Sequence, residues 1–353
     1  MSFRTIRAVP TISLLLAMAA CSSTDSDSGD KTPVKIAWIA KGQANTFFDV
    51  SRVGAKLAAE ELSASSGREV TANTEMDPDS ADATLLPDLQ VEQLQKAIDE
   101  KYDAINVSVL DPVKAKPVID AAVDAGIPVL TFDSDAPDTK RLSFYGMDNL
   151  AGAKLLATTL ADLMGGSGTV AIMTAKSTSS TYADRIDGFN EIMANFPNIK
   201  VLPDIVYCTK TEEASMHGCV DQLEQTQAAH PEITAWYLAR GRVFREKDIF
   251  TLAPTWGGLV KDGSLKVVGF DAPEDAIPAI TQGVAQMVIG AKQFAWGYDL
   301  VNITFDVVTA GRKLEAFTDS TYDVICENNW DQLAANWTAK DFRQSLPKCS
   351  LLP

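Results

Sequence analysis

Short polar clusters follow apolar runs at several points in this chain: Gly42-Gln-Ala-Asn45-Thr-Phe47-Phe48, Asp111-Pro112, Phe132-Asp133-Ser134-Asp135, Asp184-Arg185-Ile-Asp187-Gly-Phe189 and Gly269-Phe270-Asp271. Together they supply carboxylates, two amides, one guanidinium and aromatic rings, with no thiol, metal-ligand cluster or His–carboxylate pairing. Such a set suits a polyhydroxyl ligand. Asp oxygens accept hydroxyl protons, while Asn45 and Arg185 supply the complementary donors. A hydrogen bond to a charged group contributes about 1.5–3 kcal/mol once water is excluded. Phe47 and Phe48 offer flat surfaces for the C–H face of a sugar ring. The rival chemistry is glycoside hydrolysis, with Asp133 and Asp271 as acid and base, but no further acid–base constellation supports it. The chain therefore reads as a binder and not an enzyme, with no cofactor and no metal.

Each residue also has a plainer reading. Asp133 and Asp271 follow strands, where Asp often caps the next helix. Phe47 and Phe48 open a helix, and one of them belongs to the core. Arg185 sits near a helix start, where a cation opposes the dipole and demands a specific partner. Asp148-Asn149 reads as a cap for the helix that follows. The acidic stretch Asp77-Pro-Asp79-Ser-Ala-Asp82 lacks the mid-loop Gly and terminal Glu of a calcium loop, and reads as a solvated turn.

Alternating elements must hold these clusters in place. Strands are expected at Val34–Ala40, Glu69–Glu75, Asp103–Ser108, Ile127–Phe132, Thr169–Thr174, Val201–Tyr207, Ile233–Tyr237 and Leu265–Gly269. Helical periodicity falls between them, at Phe47–Ser63, Ala83–Glu100, Val113–Asp124, Leu150–Met164, Tyr182–Asn195 and Glu212–Ala229. Strict alternation predicts an α/β fold of doubly wound parallel sheets with helices on both faces. Val34–Lys41 and Thr169–Lys176 form a faint repeat, each a buried strand ending in Ala-Lys. Two such halves would face one another across a cleft, since ligands bind outside the carboxyl ends of strands.

A chain of 353 residues is long enough for two domains. Its net charge of −16 repels phosphate backbones and argues against nucleic acid. Met1–Arg7 carries two positive charges and no acid, and the mostly apolar run to Ala20 follows, the order of a secretory signal peptide over residues 1–20. Met18-Ala19-Ala20-Cys21 reads as a lipidation site at Cys21, with ordinary cleavage after Ala17-Met18-Ala19 as the alternative. Residues 21–32 would then be a flexible tether. The remaining cysteines fall into local pairs, Cys208 with Cys219 and Cys326 with Cys349, and in an exported chain these read as disulfides.

The ordered set Ala40-Lys41-Gly42, Asn45, Phe47-Phe48, Gly126-Ile127-Pro128-Val129, Phe132-Asp133-Ser134-Asp135, Gly146, Asp148-Asn149, Arg185-Ile-Asp187-Gly188-Phe189, His230-Pro231 and Gly269-Phe270-Asp271 resembles the ribose/galactose-type periplasmic sugar-binding proteins over roughly Pro33 to Arg312. The resemblance implies two lobes joined by crossing hinge strands: 33–140 with 292–318, and 141–291; residues 319–353 depart from it as an extra tail, expected to pack on a lobe. It implies a component that captures a sugar or polyol and hands it to ABC permease subunits. The rival is a receptor that signals to a chemoreceptor or sensor kinase, and in either case the chain reads as a monomer that touches the membrane through the lipid anchor only. The setting would be the periplasm or cell-envelope surface. Family contacts carry over onto Asn45, Phe47 or Phe48, Asp133, Arg185 and Asp271, with Asp111 a weaker candidate. Two departures bear on specificity. Where the family usually has a ligand-binding Gln, six residues before Gly297-Tyr298, stands Ala291, with Lys292 and Gln293 as neighbouring substitutes. Ala239-Arg240-Gly241-Arg242 places two cations near the cleft, which would suit an acidic or phosphorylated sugar or be plain surface arginines.

Overall fold

Residues alternating to opposite faces of apolar strands dictate a layered molecule, and the computed structural model has that form over the residues it describes, 31–176, 179–208 and 214–352. The expected signal peptide, and the tether with Cys21 as far as residue 30, lie outside the described residues. The strands are β1 (Val34–Ile39), β2 (Val70–Asn73), β3 (Ala104–Val107), β4 (Val129–Phe132), β5 (Ser143–Gly146), β6 (Gly168–Thr174), β7 (Ile199–Val201), β8 (Val206–Tyr207), β9 (Ala235–Leu238), β10 (Lys266–Phe270), β11 (Met287–Ala291), β12 (Phe317–Asp319) and β13 (Tyr322–Ile325). The helices are α1 (Asp49–Ser66), α2 (Leu86–Asp99), α3 (Pro112–Asp124), α4 (Asn149–Leu163), α5 (Ser180–Met193), α6 (Ala214–Ala229), α7 (Ile249–Leu252), α8 (Pro254–Lys261), α9 (Ile277–Ile280), α10 (Gln293–Ala310) and α11 (Trp330–Ala339). Among the described residues no helix is long and apolar enough to cross a membrane.

Two sheets result, ordered β12-β5-β4-β3-β1-β2 and β13-β11-β10-β9-β6-β7, with β8 also pairing β6. The first is parallel throughout, while the second has one antiparallel edge, β13 on β11. Each is sandwiched. Ile36 and Trp38 of β1 pack with Ala55 of α1 and Leu300 of α10, while Ala37 and Ile39 pack with Leu94 of α2 and Ile119 of α3. In the second lobe Val170 and Ile172 face Leu156 of α4 and Phe189 of α5, and Ala171 and Met173 face Val220 and Leu223 of α6. Complete burial of each large apolar side chain contributes about 1.5–3 kcal/mol. Gly297 permits the close crossing of α10 on α1, because a Cβ there would lie 1.8 Å from the Ser51 carbonyl oxygen.

The chain passes between the lobes three times: after β5, after β11, and between β12 and β13. Residues 143–146, which the expected bounds give to the second lobe, form the unforeseen strand β5 and pair with β4 in the first sheet, so the first crossing follows Gly146. The expected strand Val201–Tyr207 is instead β7 and β8, interrupted around Pro203, which has no N–H to offer a ladder. Residues 319–353 do more than pack on one lobe. They contribute β13, α11 packs Leu333 into the second lobe's core, and Phe342 stacks on Phe294 of the first lobe with centroids 5.5 Å apart. Cys208 is joined to Cys219 and Cys326 to Cys349, with Cα separations of 5.0 and 5.7 Å.

Candidate functional site

The carboxyl ends of β1, β4, β9 and β10 and the start of α5 meet around a cavity of about 80 Å³ between the lobes. The first lobe lines it with Lys41, Asn45, Phe47, Phe48 and Asp133, and the second with Thr181, Tyr182, Arg185, Arg240, Arg242, Arg245 and Asp271. Direct bonds close its rim. Ser134 Oγ lies 2.8 Å from Ser179 Oγ and 2.9 Å from Thr181 Oγ1, and the Thr181 hydroxyl donates to the Asp133 carbonyl at 3.1 Å. Arg245 Nη2 donates across to Thr46 Oγ1 at 2.7 Å.

Asp133 and Asp271 occupy matching places. Each follows a Phe that ends a strand, and each has a left-handed backbone, with φ of 58° and 74°. Neither caps a helix. The turn instead aims the carboxylate into the cleft, a conformation Asp tolerates better than most residues. Asp133 Oδ2 accepts from Ser108 Oγ at 2.6 Å and lies 2.9 Å from Lys41 Nζ. Asp271 Oδ1 accepts from Arg185 Nη1 at 3.1 Å, and its Oδ2 from the Gly241 N–H at 3.2 Å. Gly241 is required there: a Cβ would fall 1.8 Å from the Phe270 carbonyl oxygen.

Arg185, only 4% exposed, is held on all sides. Its Nε donates to Asn149 Oδ1 and its Nη1 to the Ala239 carbonyl, both at 2.9 Å, and its guanidinium lies 3.9 Å from the Phe270 ring centroid. These partners answer the unfavourable place of a cation near a helix start. Beside it, burial and the like charges of Asp187, Asp148 and Asp135 raise the Asp184 carboxyl above its ordinary value.

The loop after β1 is anchored from behind. Arg52 Nη2 donates to Asp77 Oδ2 at 2.6 Å and to the Gly42 carbonyl at 2.8 Å, while Asp77 Oδ1 accepts the Ala40 N–H. The solvated turn expected at Asp77 is thus corrected, because its side chain is fully buried against Arg52. Asn45 caps the turn Thr46–Phe48 by accepting from the Phe47 N–H at 3.2 Å. Phe48 is core, at 1% exposure beside Trp296 and Phe132, and Phe47 is half-buried at the cavity.

Asp111 lies elsewhere: it accepts from the Val113 and Lys114 N–H groups at 2.9 and 3.1 Å, capping α3, and is not among the residues lining the cavity. Asp148 likewise caps α4. Gln293 donates to the Phe47 carbonyl at 2.9 Å and Lys292 pairs with Asp323, so neither takes the missing amide's place in the cavity. The site also includes Lys41, Thr181, Tyr182 and Arg245, which sequence reasoning did not single out as ligand contacts. For Lys41 a signal existed: Asp133 needed a counter-ion, and Lys41 ends the loop-side of the first strand.

Residues 36–313 match the periplasmic binding protein domain family. The ribose import binding protein of Bacillus subtilis is 24% identical over 78% of this chain and 84% of its own. The D-ribose/D-allose-binding protein of Pseudomonas aeruginosa is 29% identical over 75% of this chain and 79% of its own. Among solved structures, a solute-binding protein of Burkholderia graminis in complex with D-arabinose superposes with a TM-score of 0.72 at 24% identity, covering 85% of this chain and 97% of that one. One of Bacillus halodurans with myo-inositol reaches 0.70 at 20% identity, covering 88% and 99%. The family and these relatives are substrate-binding proteins rather than enzymes, and their setting is extracytoplasmic. With its two crossing-linked lobes and a shared cleft between them, this chain belongs to the periplasmic binding protein domain family.

Proposed function

We propose that this protein captures a sugar or sugar-like polyol between its lobes and delivers it to an ABC importer. One observation carries the reading: Asp133 and Asp271, from different lobes, each paired with a cation, border the same cavity. Hydroxyl groups would donate to these carboxylates and accept from Arg185 and Asn45, with Phe47 against the ring's C–H face. The named relatives, and neighbours solved with D-arabinose and myo-inositol, support the ligand class. Closure is the natural mechanism for such a site, with the three crossings absorbing the rotation and ligand contacts favouring the closed arrangement. Export, the lipid anchor at Cys21 and a permease partner complete the proposal. The tether would keep the receptor close to its importer at the membrane.

A thermal-shift screen against pentoses, hexoses, inositols and sugar acids tests it. A true ligand at about a hundred times its Kd stabilises the fold by about 2.7 kcal/mol. Arg185→Ala should erase the shift produced by the hit. A full shift surviving that substitution would place the pocket elsewhere, and silence across the whole panel would remove the sugar reading.

A further inference from the structure

We infer that the ligand of this cleft is negatively charged, a polyhydroxyl compound bearing a carboxylate or phosphate, and that Arg240 selects that charge. The inference rests on the sugar-binding reading and narrows it. Five cations border the cavity against two carboxylates, Asp133 and Asp271. Lys41 is answered by Asp133 at 2.9 Å and Arg185 by Asp271 at 3.1 Å. Arg245 is answered by Asp275 at 2.6 Å, outside the cavity, and Arg242 is engaged as well. Arg240 differs. It is half-buried, it borders the cavity, and among the described residues its side chain makes no ion pair or hydrogen bond.

An arginine left in that state at a closing cleft loses water without gaining a counter-charge, unless the guest brings one. Its placement is not slack. Gly241 locks the neighbouring backbone against the Phe270 carbonyl and donates its N–H to Asp271, which sets Arg240 beside the carboxylate that would grip a hydroxyl. A guanidinium matches a carboxylate or phosphate with two parallel hydrogen bonds, so one guest presenting hydroxyls and an acidic group would satisfy both residues. The surplus of cations is local, because the chain as a whole carries −16. A concentration of positive charge in the cleft of an acidic protein points to what the cleft takes, since solubility would be served by more acid.

Titration calorimetry on the full chain decides between the outcomes. The probes are glucuronate, galacturonate and gluconate, ribose 5-phosphate and glucose 6-phosphate, and the neutral parents glucose, galactose and ribose. An acidic or phosphorylated probe should bind about tenfold or more tightly than its neutral parent, and added salt should narrow that margin. Arg240→Ala should weaken the anion by a similar factor and flatten the salt dependence, with Arg240→Lys restoring part of both. Preference for the acids assigns a carboxylate, and preference for the phosphates a phosphate. A neutral parent binding as tightly as its charged relative overturns the inference while leaving sugar capture standing. Binding by no probe of either kind overturns both.

Discussion

Asp184 sits half-buried one residue from Arg185, and its neighbours Asp187, Asp148 and Asp135 come from both lobes and the first crossing between them. Burial first, then these like charges, hold its folded-state pKa above the ordinary 3.8, with only Arg185 opposing. The folded protein therefore binds a proton more readily than the unfolded chain, and stability falls as pH rises from 3.8 through the raised value. At neutral pH the penalty is complete. Asp184→Asn should accordingly raise the melting temperature near pH ~7, and the gain should shrink toward nothing as pH drops below the ordinary carboxylate value. A gain independent of pH would show that packing, not charge, is responsible. Legibility at this scale follows from how local each cause is. Asp133, Arg185 and Asp271 could be found because their position at a strand end or helix start is a local property. Thr181 and Arg245 could not, because their roles at Asp133 and Thr46 exist only once two lobes distant in sequence have met.

Most strands buried on both faces were readable as continuous apolar runs, which is why β1, β3, β4, β6, β9 and β10 stand close to their expected bounds, although the buried β11 was not among those expected. The short strands β12 and β5 were not. In β12 two of three residues are exposed, and β5 is four residues with no run to mark it. Nor could the sequence indicate which loop would be rigid. The loop after β1, bearing Asn45 and Phe47, owes its shape to Arg52, which reaches back from α1 to Asp77, Asp49 and the Gly42 and Asn45 carbonyls. Removing one partner of a buried pair leaves the other uncompensated, at a cost of about 3–5 kcal/mol. Arg52→Ala should lose that much in urea denaturation, and amide exchange across 42–48 should accelerate ahead of the sheet. Uniform exchange throughout the first lobe would mean that Arg52 supports the lobe rather than the loop.

At the scale of the whole molecule, the segment after β13 ties the lobes together beyond the three chain crossings. It is fixed to the second lobe by β13, the Cys326–Cys349 bond, Leu333 and the Lys340–Glu274 pair at 2.6 Å. Its tip rests on the first lobe, where Phe342 stacks on Phe294, and Arg343 lies 4.3 Å from the Tyr298 ring centroid and 3.6 Å from Glu61. An aromatic pair contributes about 0.5–1.5 kcal/mol beyond burial, and an exposed ion pair about 0–1. The strap thus holds roughly one to two kcal/mol of contact that belongs to this closed arrangement. Withdrawing it moves the lobes toward opening, and apparent affinity falls in proportion to the closed fraction lost. The Phe342→Ala/Arg343→Ala double variant should therefore bind its ligand several-fold more weakly. Without ligand it should scatter X-rays as a larger particle, and saturating ligand should return both proteins to one radius. Equal radii and equal affinities would demote the segment to a cap on the second lobe, and the hinge would then be governed by its crossings alone.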